Sequence, residues 1–482
     1  VIADLERTFE LLSRSRQAAA LDLLLRGLDS SSPGVRRLAV RSIVQRAEDR
    51  GLQALIGHWM ELDTQDIELL TEHDRRLTPA IIQLLSRGDV SARQAAVAAA
   101  QRLQVPRAIP ALLDLAEQPE DPASDAAARA VLHLAVGLGR AARQDRDTPS
   151  QRAPLLERLA TSVRRFPQHR NDRLVDAFLS AVRWEDGCLT SLLAEDEPAC
   201  HVLAKRFESS DHPAVIQLLA GWVRKHRIPA IVQRALRERD GRQLRDELLT
   251  CVGEDPSGPV LRQLQSLGTP ACCRPVERLF IQLPRTAWPA AVHLIAASET
   301  DGLRTLRMLL DALDLGDPRT KESAIRELQK LAEIDPQVWL RGAAELGEPD
   351  AGVASQLLGH LLRWLRVGDE RLQAAIRGVL SSLHLEPVLP LLETLRPATR
   401  RQLGKITRLV DLEAVNRLGI MLRHPVLAKR LQAIEGVLAL EATDEVLGQL
   451  LRMVEMDYAE ARAAAVMALR QSRSPHAVNL LQ

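Results

Sequence analysis

The chain has 482 residues, 46% hydrophobic but only 2% aromatic, so a core must be assembled from Leu, Ala, Val and Ile; that suits close-packed helices and argues against a sheet protein, which would draw on Tyr, Phe, Trp and Thr. Lys and Arg number 64 against 63 Asp and Glu, a net charge of +1, and the basic excess of a dedicated nucleic-acid binder is absent. Five cysteines, odd in number and irregularly spaced, do not make a disulfide scaffold and point to a reducing, cytoplasmic setting.

The first ten residues already carry Asp4, Glu6, Arg7 and Glu10, unlike a secretory leader. Ser32 is followed by Arg36, Ala39, Val40 and Ile43, and Asp89 by Arg93, Ala96, Val97 and Ala100. Each run places a helix-capping side chain first, a basic residue one turn in, then an apolar stripe at helical spacing. Pro106 opens a further helix through residue 113, since proline is tolerated in a first helical turn. Residues 140–154 hold charge, Pro and Ser without an apolar stripe and read as an exposed loop. From 155 to 300 helical hairpins show only as amphipathic periodicity, with Cys272 and Cys273 on a helix expected to begin near Thr269. The longest charge-free stretch, 286–298, is broken by Pro289 and too short to span a bilayer. Asp317 with Lys321, Ala324, Ile325 and Leu328 repeats the earlier pattern without a gap, and Asp457 with Arg462, Ala465, Val466 and Leu469 repeats it with one residue inserted. Residues 475–482 begin another helix and stop before its partner, so the chain is expected to be a piece of a longer polypeptide.

The run Ala-Arg-Ala-Ala-Ala-Val-Met-Ala-Leu at 461–469, a short turn, then Pro475-His476-Ala477-Val478 resembles bacterial HEAT repeats of the phycocyanobilin-lyase-like class. The resemblance covers 17–137 and 410–482, is clear at 300–334, and is degenerate through the middle. It implies an all-α fold: a right-handed α-α superhelical solenoid of roughly eleven to thirteen stacked hairpins. It also implies that Arg36, Arg93, Lys321 and Arg462 form a ladder with the capping Asp of a neighbouring repeat, fixing the stacking register. The expected organisation is N-terminal repeats at 1–139, the loop at 140–154, degenerate repeats at 155–300, and C-terminal repeats at 301–482 with the last incomplete.

No metal or cofactor is expected: there is no His-Glu-x-x-His or Cys-x-x-Cys, and Cys188, Cys200 and His201 would need Cys272 and Cys273 brought to them by the fold. Gly404-Lys405-Ile406 fails as a phosphate loop, with Thr399 and Ile406 where Gly and Ser or Thr are required. No Gly-x-Ser-x-Gly elbow occurs. Some HEAT-like solenoids are alkylpurine DNA glycosylases with tryptophans and an Asp on a basic surface. Trp184, Asp186 and Trp222, near Arg224, Lys225, Arg227, Arg234 and Arg237, supply those residue types. The best local charge signal is Arg396, Arg400, Arg401, Lys405 and Arg408, with no acid between Glu393 and Asp411. It reads either as a helix face answered by acids on the next repeat or as a stripe for an acidic partner. The expected function is a non-catalytic scaffold binding a protein partner along the concave face of the solenoid. The alternatives are a DNA-binding or glycosylase protein and the regulatory arm of a larger enzyme or membrane protein.

Overall fold

The computed structural model describes residues 2–144, 149–194, 197–225, 227–274, 276, 279–331, 334–346 and 350–474. Every regular element among them is helical: α-helices joined by 3₁₀ turns, with no strand. No described helix is long and apolar enough to cross a membrane. The expected helix starts are present where the capping chemistry is strongest. Asp89 and Asp317 are N-caps, and each carboxylate accepts the backbone N–H three residues on at 2.8 Å. Ser32 is the N-cap of Pro33–Arg46, and Pro33 fills its first position. Behind the caps the stripes are buried: Ala39, Val40 and Ile43; Ala96, Val97 and Ala100; Ala324 and Leu328; Ala465 and Leu469.

The chain divides into two compact units, residues 1–247 and 248–482. In the first, Ile2–Arg14 packs on Pro33–Arg46, Ala18–Leu28 on Pro33–Arg46, and Asp74–Arg87 on Val90–Arg102. Val90–Arg102 then packs on Ser124–Arg143, which packs on Asp172–Ala181. In the second, Trp288–Ser298 and Gly302–Leu315 both pack on Pro318–Lys330, and Pro318–Lys330 on Glu370–Val379. Further along, Pro397–Val410 packs on Leu427–Ala439, and Leu427–Ala439 on Ala459–Leu469. These helices meet a sequence neighbour, a helix one hairpin further on, or both, which is the nearest-neighbour stacking of an α-solenoid.

Arginines fasten one hairpin to the next. Arg239 donates to the carbonyls of Phe207 and Ser210 at 2.7 and 2.5 Å. Arg152 donates to Ala181 O at 2.9 Å, Arg408 to Leu440 O at 3.3 Å, and Arg46 to Ser15 O. Arg206 grips the buried Asp176 with two hydrogen bonds of 2.6 and 2.5 Å. These contacts span 29 to 32 residues, one hairpin's length. Most of them satisfy carbonyls at helix C-termini that have no partner within the helix.

Two local expectations differ. The loop expected at 140–154 is shorter: Ser124–Arg143 continues because Ala142 extends the buried stripe of Leu134 and Leu138. Pro149–Arg164 resumes the helix with Pro149 at its start, and residues 145–148 lie outside the described ones. Arg152 marks the misreading: its charge looks solvated in sequence, yet it is buried against Asp186 and the Ala181 carbonyl. Cys272 and Cys273 lie on a 3₁₀ turn, Ala271–Cys273, capped by Pro270, rather than on a full helix. The incomplete terminal repeat, 475–482, also lies outside the described residues.

Candidate functional site

The basic stripe falls on helix Pro397–Val410, with Arg396 as its N-cap. Three of its five cations are answered by the following hairpin. Arg400 pairs with Glu435 at 2.5 Å, Lys405 with Glu441 at 3.0 Å, and Arg408 with Glu445. Arg396 and Arg401 are exposed and make no ion pair among the described residues. Arg401, with Arg400 and Arg408, borders a groove of about 710 Å³ whose other walls include Glu435, Glu441 and Arg473. Gly404 has a packing role: a Cβ there would lie 2.9 Å from Leu440 N and closer still to the Ala439 carbonyl. The glycine lets two helix backbones touch.

The four residues expected to form one ladder behave differently from one another. Arg93 pairs with Asp121, and Arg36 donates to the Ser30 carbonyl at 3.3 Å. Lys321 and Arg462 have no ion pair among the described residues. Capping aspartates do take part in links between hairpins: Asp121 accepts the Ala123 N–H and pairs with Arg93, and Asp457 accepts the Tyr458 N–H and pairs with Arg430 at 2.7 Å.

Asp186 does not stand free. Arg152 donates to both its oxygens, at 2.8 and 2.5 Å, and the Arg183 N–H donates at 2.6 Å. Trp184 carries the Lys225 ammonium 4.6 Å above its ring, while Lys225 also pairs with Glu185 at 2.6 Å. Trp222 is buried, so the two indoles do not form an exposed platform for a base. Burial pushes the Cys188 thiol up, with the Asp186 charge adding to it, which lowers its reactivity. Among the described residues no His, Cys, Asp and Glu group is arranged to hold a metal.

One site escaped the sequence. Leu261, Gln265, Ala296, Ser298, Glu327 and Lys330 are among the residues lining a cleft of about 650 Å³. Its floor is set by helices Trp288–Ser298 and Pro318–Lys330. Glu327 is buried and accepts from His293 Nδ1 at 2.7 Å and Lys330 Nζ at 2.9 Å. Burial drives this carboxyl up, but the His293 and Lys330 contacts outweigh it, so Glu327 sits below its ordinary value and stays ionised at neutral pH. Ser298 is 2% exposed, lines the cleft, and its Oγ has no hydrogen-bond partner among the described residues. Sequence reading could have found the His293–Glu327 pair from its 34-residue separation, close to one hairpin's length, but neither residue belongs to a motif.

No family model matches the chain, and no curated protein matches it. An engineered protein of solved structure is 14% identical, with 94% of this chain and 99% of that one covered and a TM-score of 0.29. A chain from the structure describing the cadherin–β-catenin interaction is 15% identical, covering 92% and 96%, with a TM-score of 0.31. A chain from the Kap95p–RanGDP structure is 11% identical, covering 98% and 72%, with a TM-score of 0.25. At scores of this size the fold rests on the helix packing described above, and none of the three carries over a partner or an activity.

Proposed function

We propose that the chain is a non-catalytic binding scaffold, and that the edge built by helix Pro397–Val410 takes an acidic protein segment. The observation that carries this reading is the division of labour within the basic stripe. Arg400, Lys405 and Arg408 are spent on the next hairpin, whereas Arg396 and Arg401 are exposed with no ion pair among the described residues, Arg401 at the border of the groove. Unpaired arginines at a groove favour a carboxylate-bearing partner, which can take the guanidinium fork in two hydrogen bonds. The HEAT-like resemblance at 461–469 supports the same reading, because the stacked module rather than lyase chemistry is what such repeats share.

Fluorescence anisotropy of a labelled octaglutamate peptide against the full chain tests it. Binding at low salt that weakens with added salt, and is lost in an Arg396→Glu, Arg401→Glu double variant, is expected. Octaglutamate binding unchanged by that variant would overturn the assignment. A 20-nucleotide single strand that binds more tightly than the peptide, with the same dependence on both arginines, would move the function to nucleic acid.

A further inference from the structure

The cleft around Glu327 is chemically unlike the arginine groove and does not depend on the scaffold reading. Five elements build it. Helices Trp288–Ser298 and Pro318–Lys330 end at it, Gly302–Leu315 and Pro336–Ala344 begin at it, and Gly258–Leu267 flanks it. Its volume of about 650 Å³ is that of sites accommodating small molecules or single side chains.

Three observations decide which chemistry fits. The sign of charge comes first. Glu299, Asp301, Glu327 and Asp335 line the cleft against one cation, Lys330, while its two helix C-termini and two helix N-termini bring dipole ends of opposite sign that offset one another. An anion is disfavoured there. Some of these carboxylates are committed: Asp301 caps the N–H groups of Leu303 and Arg304, Asp335 caps that of Gln337, and Glu299 accepts from Thr300 and Asp301. Glu327 is the carboxylate held by side chains alone.

Next is the unequal grip on Glu327. His293 is 2% exposed and holds the carboxylate from within the core, whereas the Lys330 side chain is 56% exposed at the rim, three residues away on the same helix. Lys330 is therefore the replaceable cation, a flexible stem whose head can return to water. Last is Ser298. A buried hydroxyl oxygen without a donor is costly unless something arrives to fill it, and it lines the same cleft as Glu327. Leu261, Ile334 and Val338 supply an apolar wall beside the two polar groups.

We propose that this cleft binds an organic cation, a primary ammonium or guanidinium group on a short apolar stem, and that Lys330 holds the cation's place until it arrives. The incoming N–H groups take over the Glu327 carboxylate and donate to Ser298 Oγ, the stem lies along Leu261, Ile334 and Val338, and the Lys330 ammonium moves out to solvent. The cation comes either as a free amine or on the side chain of a bound segment, and both present the same group to Glu327.

Isothermal titration of the full chain separates these sources, using agmatine for the free cation and acetyl-Leu-Arg-Leu-amide for the peptide-borne one, with the citrulline tripeptide as neutral isostere. Saturable binding at one site is expected for at least one of the two cations, with the citrulline peptide binding about ten-fold or more weakly than the arginine peptide if the peptide binds. Glu327→Gln should weaken binding by about ten-fold or more, and Ser298→Ala by about two- to ten-fold. Lys330→Gln should tighten it at the same single saturable site, because the internal competitor is gone, whereas on a non-specific acidic surface the lost positive charge would raise cation uptake without saturation. Should Glu327→Gln perturb folding, Ser298→Ala and Lys330→Gln still decide, since neither removes a contact within the core. The proposal is overturned if no cation binds the Lys330→Gln variant saturably, if citrulline serves as well as arginine, or if Lys330→Gln weakens binding.

Discussion

Replacing Gly404 with alanine tests whether the helices of the second unit touch backbone to backbone. On helix propensity alone the change should stabilise by about 1 kcal/mol. The structure opposes it. The added Cβ would lie 2.9 Å from Leu440 N and nearer to the Ala439 carbonyl, and these are backbone atoms at the end of Leu427–Ala439 that no rotamer change can move aside. Relief requires the two helices to part. Overpacking of this kind costs about 1–3 kcal/mol. Parting also stretches the 3.3 Å hydrogen bonds from Arg408 to the carbonyls of Leu440 and Glu441, each worth about 1 kcal/mol. A net loss of about 1–3 kcal/mol follows. Gly378 is the control: it is exposed within Glu370–Val379 and an added Cβ meets nothing within 4 Å. Gly378→Ala should therefore stabilise by about 0.5–1 kcal/mol. Urea unfolding followed by circular dichroism, with hydrogen exchange in Pro397–Val410 and Leu427–Ala439, measures both. Because a repeat array need not unfold in one step, the exchange data locate the damage. A Gly404→Ala protein as stable as the parent, or stabilised like Gly378→Ala, would refute the close approach.

Three further outcomes follow from the packing and its charges. Ala96, Ala324 and Ala465 are fully buried, so leucine at any one should cost about 1–3 kcal/mol and lower exchange protection mainly in adjoining hairpins; an unaltered unfolding curve would put these faces elsewhere. Arg206→Ala strands the buried Asp176 carboxylate, and its cost in urea unfolding should be about 3 kcal/mol, the low end for a broken buried pair because Arg206 is partly exposed. Asp66 is buried, both its oxygens lack hydrogen bonds among the described residues, and Arg37 Nε is 3.6 Å away; burial, then the Asp63 charge, raises its pKa. A raised folded pKa means stability that is complete below the unfolded value of about 3.9 and lost as pH rises through the folded one. Asp66→Asn should therefore stabilise by about 1–3 kcal/mol at pH 7 and flatten that decline, and equal urea midpoints for the two proteins at pH 7 would contradict it.

Much of the fold was legible because its signals are local. A cap at Asp89 or Asp317, an apolar stripe three and four residues apart, and a proline at the next helix start are all properties of a short window. The 140–154 segment misled for the same reason. Arg152 is polar in any window, and only the Ala181 carbonyl and Asp186, some thirty residues on, make it a buried structural group. The aligned residues Arg36, Arg93, Lys321 and Arg462 meet different groups, which their shared sequence pattern does not distinguish. Arg93 finds Asp121 in the next connection, Arg36 a carbonyl just before its own helix.

A repeat protein offers a second reading frame that single-window patterns do not use. Arg400, Lys405 and Arg408 find Glu435, Glu441 and Glu445, while Arg206 finds Asp176 and His293 finds Glu327, 30 and 34 residues away. Stacking brings residues one hairpin apart into contact, so opposite charges at that separation tend to be spent on each other. Charges left over after such matching are then the ones open to a ligand. By that criterion Arg396 and Arg401 remain on the basic stripe. At the cleft the hairpin-spaced match joins His293 to Glu327, and Lys330 is a local addition from the same helix. The two candidate surfaces thus differ in how they are available: the arginines through having no counter-ion among the described residues, Glu327 through having one that can be exchanged.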